Sequence, residues 1–218
     1  MCQAAIHAGV ITKTRLGIVV IEIRRGQSWY RGSTRNGVTS KAFSSWRGSF
    51  AVIGLLPLVQ PKGIYCFYSR PLIQALAALI GDRSCLEIAA GDGTLSVFLA
   101  ADGVAVTATD DHSWQHSVTF PASVLRQDAR EALRAHRPEV VICSWPPANN
   151  GFEQAVFRTG SVQLYVAINS GLELGSGNRK AYAEQTAFSW SEEPGLSRLV
   201  LPPELGAVVH VFRRRADA

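Results

Sequence analysis

The order of apolar and polar residues is irregular at the start of the chain and becomes regular from about residue 64. Beyond that point, short apolar runs typical of buried strands alternate with stretches whose apolar residues recur at helical spacing. The predicted strands are 84–90, 104–110, 139–145 and 161–170, and the predicted helices are 69–81, 94–102, 128–138 and 180–190. Strands that alternate with helices predict an α/β fold, in which helices cover a mainly parallel sheet.

The helix predicted over 69–81 shows the helical pattern most clearly. Pro71 lies near its start and Gly81 at its end, and five apolar side chains share one face: Leu72, Ile73, Leu76, Leu79 and Ile80. At the other end of the chain, 197–201 and 207–214 are predicted to be two strands joined by the turn 202–206. We therefore expect the sheet to close on a hairpin, with one antiparallel strand near an edge.

The first 62 residues differ in composition from the rest of the chain. They contain nine Lys or Arg residues and a single acid, Glu22, so they carry about +8, whereas 63–218 carries about −3 of the net +5. The apolar stretch 17–23 could form a strand, and the Arg, Gly, Ser and Asn residues after it predict a loop. We divide the chain into a basic extension, 1–62, and a domain, 63–218. The extension could bind phosphate or another anionic surface, be a solvated tail, or be an organelle transit peptide.

Membrane spans, secretory signals and cysteine frameworks are not indicated by the sequence. No apolar run reaches the roughly 18 residues that a spanning helix needs. The amino terminus lacks a charged start followed by an apolar block, so we expect a cytoplasmic protein without membrane partners. The four cysteines are far apart and form no CxxC pair, which predicts neither a disulfide framework nor a metal site: Cys2, Cys66, Cys85 and Cys143.

The stretch LEIAAGDGTLS, residues 86–96, is the clearest candidate for a ligand site. Gly91 and Gly93 form a turn between a predicted strand and a predicted helix. Such a turn lets a ligand approach the backbone closely, beside the electropositive start of a helix. In open α/β sheets, ligands bind at the carboxyl ends of the strands, where this turn would lie. A dinucleotide site would have a third glycine where Ser96 stands, which weakens a nicotinamide interpretation.

This segment resembles the first motif of class I S-adenosylmethionine-dependent methyltransferases, an acid followed by glycines at alternate positions. Glu87, Gly91 and Gly93 match that motif, and Ala89 replaces its first glycine. The resemblance covers about residues 64–214. It implies a Rossmann-like, seven-stranded, mostly parallel sheet with helices on both faces and one antiparallel strand near the edge. It also implies S-adenosyl-L-methionine as the cofactor.

Further acids follow in the order that the resemblance implies. Asp110 ends the second strand, where the family keeps an acid that binds both ribose hydroxyls, and Glu87 would lie near the methionine ammonium. Asp128 is similar to the acid that contacts the adenine amino group, although with Glu131 it also matches a helix capping box. Asp111 could line the adenine pocket or be ordinary polar surface.

The segment CSWPPANN, 143–150, ends the fourth strand with a proline pair, which in many members of the family lies beside the reacting methyl group. Trp145 stands where methyltransferases of nucleobase and glutamine amines carry Asp or Asn. This departure argues against such acceptors and leaves Ser144, which we count among the cofactor-binding residues, or a backbone carbonyl to accept a hydrogen bond. Trp145 could line a substrate pocket or belong to the core. The candidate general bases are His112, His116 and Tyr68.

Three hypotheses of function follow from the sequence. The first is methyl transfer to a small molecule or a side chain, because aromatic and amide residues surround the expected site and the acidic balance of the domain disfavours a polyanion. The second is an RNA methyltransferase that binds RNA through the basic extension. The third is a non-catalytic binding module with the same fold, which Ala89 and the altered proline motif leave open.

Overall fold

The computed structural model describes residues 64–114, 118–172 and 175–216, together with six strand residues nearer the amino terminus. Those six form three short strands, β1 (Val20–Ile21), β2 (Ser28–Trp29) and β3 (Ala42–Phe43). Strands β2 and β3 pair in antiparallel orientation. Of the strand predicted over 17–23, the described part is therefore β1. The division of the chain at residue 62 stays a prediction.

The remaining strands and the helices occupy most of the described chain. The strands are β4 (Phe67–Ser69), β5 (Cys85–Glu87), β6 (Val106–Asp110), β7 (Val124–Arg126), β8 (Val140–Ser144), β9 (Leu164–Asn169), β10 (Phe188–Glu192), β11 (Val200–Leu201) and β12 (Val208–Arg214). The helices are α1 (Arg70–Ile80), α2 (Thr94–Ala101), α3 (Ala129–His136), α4 (Glu153–Arg158), α5 (Arg179–Glu184) and α6 (Pro194–Ser197). A short 3₁₀ turn spans Pro203–Leu205.

The main sheet has seven strands in the order β10-β12-β9-β8-β5-β6-β7. Strand β12 is antiparallel to both of its neighbours, β9 and β10, whereas the other pairs in the sheet are parallel. One reversed strand therefore lies second from the edge of an otherwise parallel sheet. This arrangement confirms the predicted fold class and the fold that the resemblance to class I methyltransferases implies.

Helices cover both faces of the sheet, because the central strands are apolar on both sides. In β8, Val140 and Ile142 belong to the core cluster that includes α1 and α2, and Val141 and Cys143 belong to the cluster that includes α3 and α5. Alternate residues of a strand point to opposite faces, so a strand with helices above and below it must be apolar throughout. The continuous apolar run 140–143 reflects this position in the middle of the sheet.

Helix α1 forms where the sequence predicts it. The Ser69 hydroxyl oxygen accepts a hydrogen bond from the Leu72 backbone N–H (3.2 Å), Pro71 occupies the first turn, and Gly81 ends the helix with a positive φ of 62°. These are the start and stop signals expected of a helix. Leu72, together with the other apolar residues of its face, packs onto the sheet.

The helix predicted over 180–190 is wrong beyond Glu184, because the chain turns and continues as the edge strand β10. Gln185 fixes the turn: its side-chain oxygen accepts from the Phe188 backbone N–H (2.8 Å) and its side-chain nitrogen donates to the Phe188 carbonyl (3.0 Å). Phe188 is fully buried and the rest of β10 is exposed. Because only one of its five residues is buried, this segment lacks the alternation of buried and exposed residues typical of a strand. The helix predicted from the preceding residues therefore extends into it.

The predicted hairpin between 197–201 and 207–214 is also wrong. Strand β11 pairs with β4, in a separate three-stranded sheet of order β1-β4-β11, and β12 lies between β10 and β9. Because β12 is hydrogen-bonded on both edges within the main sheet, it has no free edge for β11. Strand β7, which pairs with β6, was not predicted. Within the described residues, no helix combines the length and the apolar character needed to cross a bilayer.

Candidate functional site

A cleft of about 630 Å³ lies at the carboxyl ends of β5, β6 and β8. The last residues of these strands, Glu87, Asp110 and Ser144, all line it. Sites for small molecules and cofactors have volumes of roughly 300–1,000 Å³ and occur at this edge of open α/β sheets. The cleft therefore has both the position and the size of a cofactor site.

The backbone adopts the left-handed conformation immediately after each of these three strands. Ala89 follows β5 with φ 50°, His112 follows β6 with φ 60°, and Trp145 follows β8 with φ 57°. Residues other than glycine rarely adopt this conformation, and such residues concentrate at functional sites. Asn149, in the loop after β8, adopts it too, with φ 56°. Of the described non-glycine residues with positive φ, only Arg137, at the end of α3, lies outside the loops that follow these three strands.

The two glycines of the turn after β5 have different roles. Gly91 (φ 57°) lines the cleft, and an added Cβ would meet no atom within 4 Å, so its bare backbone faces open space. Gly93 (φ 71°) does not line the cleft, and its Cβ would lie 2.6 Å from the Val124 Cγ2 atom. Gly91 leaves room for a ligand, whereas Gly93 allows α2 to begin close to β7.

Asp110 joins two of the loops at the cleft. Its Oδ2 atom accepts a hydrogen bond from the Gly91 N–H (3.0 Å) and its Oδ1 atom accepts from the His112 N–H (2.8 Å). An ionised carboxylate has about four acceptor positions, so each oxygen keeps capacity for another donor. Asp110 is buried and lines the cleft, which leaves that capacity directed to a ligand rather than to bulk water.

Glu87 is buried beside the cleft, with a relative exposure of 1%. Its Oε2 atom accepts from both the N–H (3.0 Å) and the hydroxyl of Ser96, at the start of α2. Among the described residues, Oε1 has no hydrogen-bond partner. Burial raises the pKa of this carboxyl from 4.5 to about 8, although the hydrogen bonds from Ser96 oppose that rise.

The other acids of the cleft are held by neighbouring backbone amides. Asp128 lines the cleft and begins α3, where its Oδ1 atom accepts from the N–H groups of Arg130 (2.9 Å) and Glu131 (3.3 Å). The predicted helix cap is therefore present, and the other carboxylate oxygen has no partner within the described part of the chain. Asp111 also lines the cleft and accepts from the Ser113 N–H (2.8 Å).

Tyr68 and Ser144 form a hydrogen-bonded pair in the wall of the cleft. The Tyr68 hydroxyl donates to Ser144 Oγ over 2.8 Å, which joins the small sheet to the end of β8. Burial, together with nearby Cys66 and Glu87, raises the pKa of Tyr68 well above its usual value. The hydroxyl therefore keeps its proton at neutral pH and is a hydrogen-bond donor here rather than a ready base.

Trp145 belongs to a group of three aromatic rings that line the cleft. Its ring lies parallel to that of Tyr65, with centroids 6.5 Å apart and an interplanar angle of 6°. Trp114 stands perpendicular to Tyr65, at 6.5 Å and 84°. The Trp145 backbone N–H donates to the Ile168 carbonyl (2.7 Å) and its ring packs against the main core, so it is both a core residue and a pocket wall.

The structure brings together nine of the eleven predicted site residues along the cleft; their roles stay predictions. They are Tyr68, Glu87, Ala89, Gly91, Asp110, Asp111, Asp128, Ser144 and Trp145. The other two, Gly93 and His112, do not line it. The His112 ring stacks on Phe120, with centroids 4.0 Å apart, and its buried Nε2 atom has no hydrogen-bond partner among the described residues. His116 lies outside the described residues.

Glu153 supports the far wall of the cleft and was not predicted. This fully buried carboxylate accepts hydrogen bonds from four groups: the hydroxyls of Tyr165 and Tyr182, the side-chain amide of Asn150 and the N–H of Asn178. Asn150 follows the proline pair, and Asn178 lies in the loop after β9. Burial raises the pKa of Glu153, and its four donors oppose that rise. In the sequence, the one indication of this role is the stretch NNGFE, residues 149–153, in which two amide side chains precede the acid.

The cleft is strongly acidic. Five carboxyl groups line it, and no Lys, Arg or His is present among its described lining residues: the acids are Glu87, Asp92, Asp110, Asp111 and Asp128. None of the ion pairs between described residues involves any of them. Nor do the described residues contain a group of His, Cys, Asp and Glu that could hold a metal ion. The four aspartates have no basic partner among the described lining residues, so the cleft favours ligands that carry positive charge.

Sequence comparisons match short stretches of the chain. A family model described as the LCCL domain matches residues 1–50. The chain is 42% identical to human (Homo sapiens) vitrin over 57 residues, which is 26% of this chain, and 46% identical to mouse (Mus musculus) vitrin over 52 residues, which is 24% of it. It spans 8% of the length of these curated relatives.

Structural comparisons match about two thirds of the chain. The CurJ carbon methyltransferase is 12% identical, with a TM-score of 0.44 over 66% of this chain and 54% of that one. A tRNA (uracil) methyltransferase of Pyrococcus abyssi, in complex with S-adenosyl-L-homocysteine, is 15% identical, with a TM-score of 0.44 over 66% and 37%. A putative RNA methyltransferase of Pyrococcus horikoshii is 14% identical, with a TM-score of 0.42 over 68% and 82%. All three TM-scores lie below 0.5, so function has to be argued from the residues that line the cleft.

Proposed function

We propose that the chain is an S-adenosyl-L-methionine-dependent methyltransferase that transfers a methyl group directly to a small molecule or a side chain. The observation that carries this proposal is the position of Asp110. Its carboxylate ends β6 beside the open backbone of Gly91, in a cleft of about 630 Å³. A carboxylate with spare acceptor capacity next to bare backbone suits a ligand that has two adjacent hydroxyls on a sugar.

The residues of the cleft fit the rest of such a cofactor. Glu87 lies between β5 and α2 and would face the ammonium of the amino-acid part, and the free oxygen of Asp128 would accept from the adenine amino group. The acidic lining favours the positive charge of a sulfonium. When bound, the cofactor supplies an activated methyl group, so the protein has mainly to position the acceptor and exclude water.

No general base belongs to this proposal. Tyr68 holds its proton, and His112 stacks on Phe120 and does not itself line the cleft. Direct displacement needs a base only if the acceptor must lose a proton before or during attack. Trp145 and Ser144 would instead position the acceptor at the end of β8.

Isothermal titration with S-adenosyl-L-homocysteine tests the proposal. We expect the wild-type chain to bind it, and Asp110→Asn to weaken binding about 10-fold to 100-fold, because hydrogen bonds to a charged group contribute about 1.5–3 kcal/mol. Asp102→Asn, which changes an exposed carboxylate at the end of α2, should bind as the wild type does. Thermal unfolding of both variants shows whether the substitution also destabilises the two loops that Asp110 joins.

Three results would contradict the proposal. Absence of heat at millimolar ligand would favour a binding module without this cofactor, and preferential binding of a nicotinamide dinucleotide would favour an oxidoreductase. Transfer of a labelled methyl group to RNA in a cell extract would favour the RNA-directed hypothesis instead. Equal transfer by the wild type and Asp110→Asn would exclude our assignment of Asp110.

We further propose a cytoplasmic location. The described cysteines are free and buried: Cys66, Cys85 and Cys143. Burial raises the pKa of Cys66 and of Cys85 to about 12, so both remain unreactive thiols. Free buried thiols are usual where the compartment is reducing.

A further inference from the structure

Three of the aromatic rings that line the cleft have no part in the proposed binding of the cofactor. Tyr65 precedes β4, Trp114 follows β6, and Trp145 follows β8, so three separate elements bring them to one place. Two of the rings are parallel and the third is perpendicular to Tyr65, at centroid distances of 6.5 Å. Together they form what we call the aromatic box, Tyr65, Trp114 and Trp145.

Trp145 is fixed in this box by its backbone. Its φ of 57° places it in the left-handed region, which is costly for a bulky residue, and its N–H is bonded to Ile168 in the neighbouring strand. Pro146 follows it and restricts the chain further. The ring is therefore held in place before any ligand arrives, as a binding surface requires.

The geometry of the box does not suit a flat ring inserted between its parallel members. Carbon atoms in contact lie roughly 3.5–4.0 Å apart, so a ring between Tyr65 and Trp145 would need a spacing of at least about 7 Å. The observed centroid spacing is 6.5 Å. A cation, in contrast, is attracted to a ring face within about 6 Å of its centroid, and a group beside either pair can contact two rings at once.

The charge of the cleft also favours a cation over a neutral ring. Four aspartates line the cleft without a basic residue among the described lining positions. Alkylammonium groups bind well where aromatic faces and negative charge occur together, because the faces attract the cation and the carboxylates lower its electrostatic energy. An anionic or phosphorylated acceptor would be repelled by the same surface.

We infer that the acceptor of the methyl group is an aliphatic amine, bound as its alkylammonium form and held after transfer by the aromatic box. This inference rests on the proposed function. Before transfer, the alkylammonium group gives one proton to a water molecule, and the nitrogen lone pair of the resulting neutral amine then forms a bond to the methyl carbon. The carbon–sulfur bond breaks, sulfur keeps the electron pair and becomes a neutral thioether, and nitrogen takes the positive charge. The charge thus moves from the sulfonium to a nitrogen that the box stabilises.

Two probes of equal shape and different charge test this inference. Choline and its neutral isostere 3,3-dimethylbutan-1-ol are titrated into the full chain saturated with S-adenosyl-L-homocysteine. We expect choline to bind about tenfold more tightly than the isostere. Trp114→Leu should reduce that preference about three- to fivefold, because it removes one face and none of the carboxylates.

Trp190→Leu is the matched control. Trp190 has the same exposed fraction as Trp114, 42%, but does not line the cleft, so its removal should leave the preference unchanged. If Trp114→Leu fails to fold, Trp114→Phe keeps a weaker ring face and should give an intermediate preference. Equal binding of the two probes by the wild type, or a preference that stays about tenfold in Trp114→Leu, would overturn the inference.

The same titration separates this inference from the proposed function. If S-adenosyl-L-homocysteine itself does not bind the wild type, the proposed function fails. If it binds but choline shows no preference, only the amine inference fails. Labelled methyl transfer in an extract then identifies the source: label in a small amine indicates a metabolite, label on lysine or an amino terminus indicates a protein, and label on oxygen or carbon contradicts the inference.

Discussion

Glu87 and Glu153 are both buried carboxyl groups next to the cleft, but their surroundings differ. Glu153, beneath the loops after β8 and β9, accepts hydrogen bonds from four separate residues. Glu87, at the end of β5, accepts from Ser96 alone, and its other oxygen has no partner among the described residues. Burial raises the pKa of both. The comparison separates a carboxylate that builds the wall of the site from one whose capacity is left for a ligand.

The largest effect should come from removing the wall-building carboxylate. Glu153→Ala leaves two tyrosine hydroxyls, the Asn150 amide and the Asn178 N–H without their acceptor, and each buried unpaired group costs about 1–3 kcal/mol. We expect the free energy of unfolding to fall by about 4 kcal/mol, as measured by urea denaturation.

The control for Glu153→Ala is Glu184→Ala. Glu184 is exposed and lies 3.8 Å from Lys180 in an i,i+4 pair. Exposed pairs of this kind contribute less than about 1 kcal/mol, so this variant should unfold nearly as the wild type does. A loss of under about 2 kcal/mol in Glu153→Ala would mean that its four donors find water or other partners.

The sequence predicts features that depend on local signals or on the position of strand ends. It does not predict features that depend on contacts between residues far apart in the chain. Helix α1 is predicted correctly because its cap, its proline and its apolar face are local signals. The residues at the ends of β5, β6 and β8 are predicted because parallel strands bring their carboxyl ends to one edge. Strands β10 and β11 are placed wrongly because their partners, β12 and β4, are distant in sequence.

The parts of the site that escape prediction also depend on distant contacts. Glu153 gains its role from Tyr165 and Asn178, which lie 12 and 25 residues further along the chain. The aromatic box requires Tyr65 to meet Trp145, from elements that are not neighbours in sequence. A pattern of residue types can name candidate side chains, but only the packed sheet decides which of them meet.

A smaller, pH-dependent effect is expected at Glu87. Its carboxyl keeps a proton up to about pH 8 in the folded chain and only to about 4.5 when unfolded. The free energy of unfolding therefore falls as the pH rises from about 4.5 to about 8. Glu87→Gln cannot lose that stability. Since an amide oxygen still accepts from Ser96, we expect it to be more stable than the wild type by about 1 kcal/mol at pH 6 and by about 2 kcal/mol at pH 9.

Urea denaturation of both chains at pH 6 and pH 9 measures this difference. The expected gain is smaller than the full pKa shift would give, because the carboxyl lines an open cleft. If the difference between variant and wild type is the same at both values, Glu87 is not the group that titrates. If Glu87→Gln gains as much stability at pH 6 as at pH 9, ionisation of Glu87 does not destabilise the folded chain.

The smallest effect is expected at two residues with a left-handed backbone, one that follows Glu87 and one in the loop that Glu153 supports. Ala89 follows Glu87 with φ 50°, and Asn149, in the loop that Glu153 supports, has φ 56°. The left-handed conformation costs most residues about 1–2 kcal/mol, whereas asparagine tolerates it. Ala89→Gly should therefore raise the free energy of unfolding by about 0.5 kcal/mol, after the greater freedom of glycine in the unfolded chain is subtracted. Asn149→Gly should leave it unchanged or lower it slightly. A loss in Ala89→Gly equal to that in Asn149→Gly would mean that the turn after β5 is no more strained than the loop after β8, and that the alanine in the glycine motif has no energetic cost.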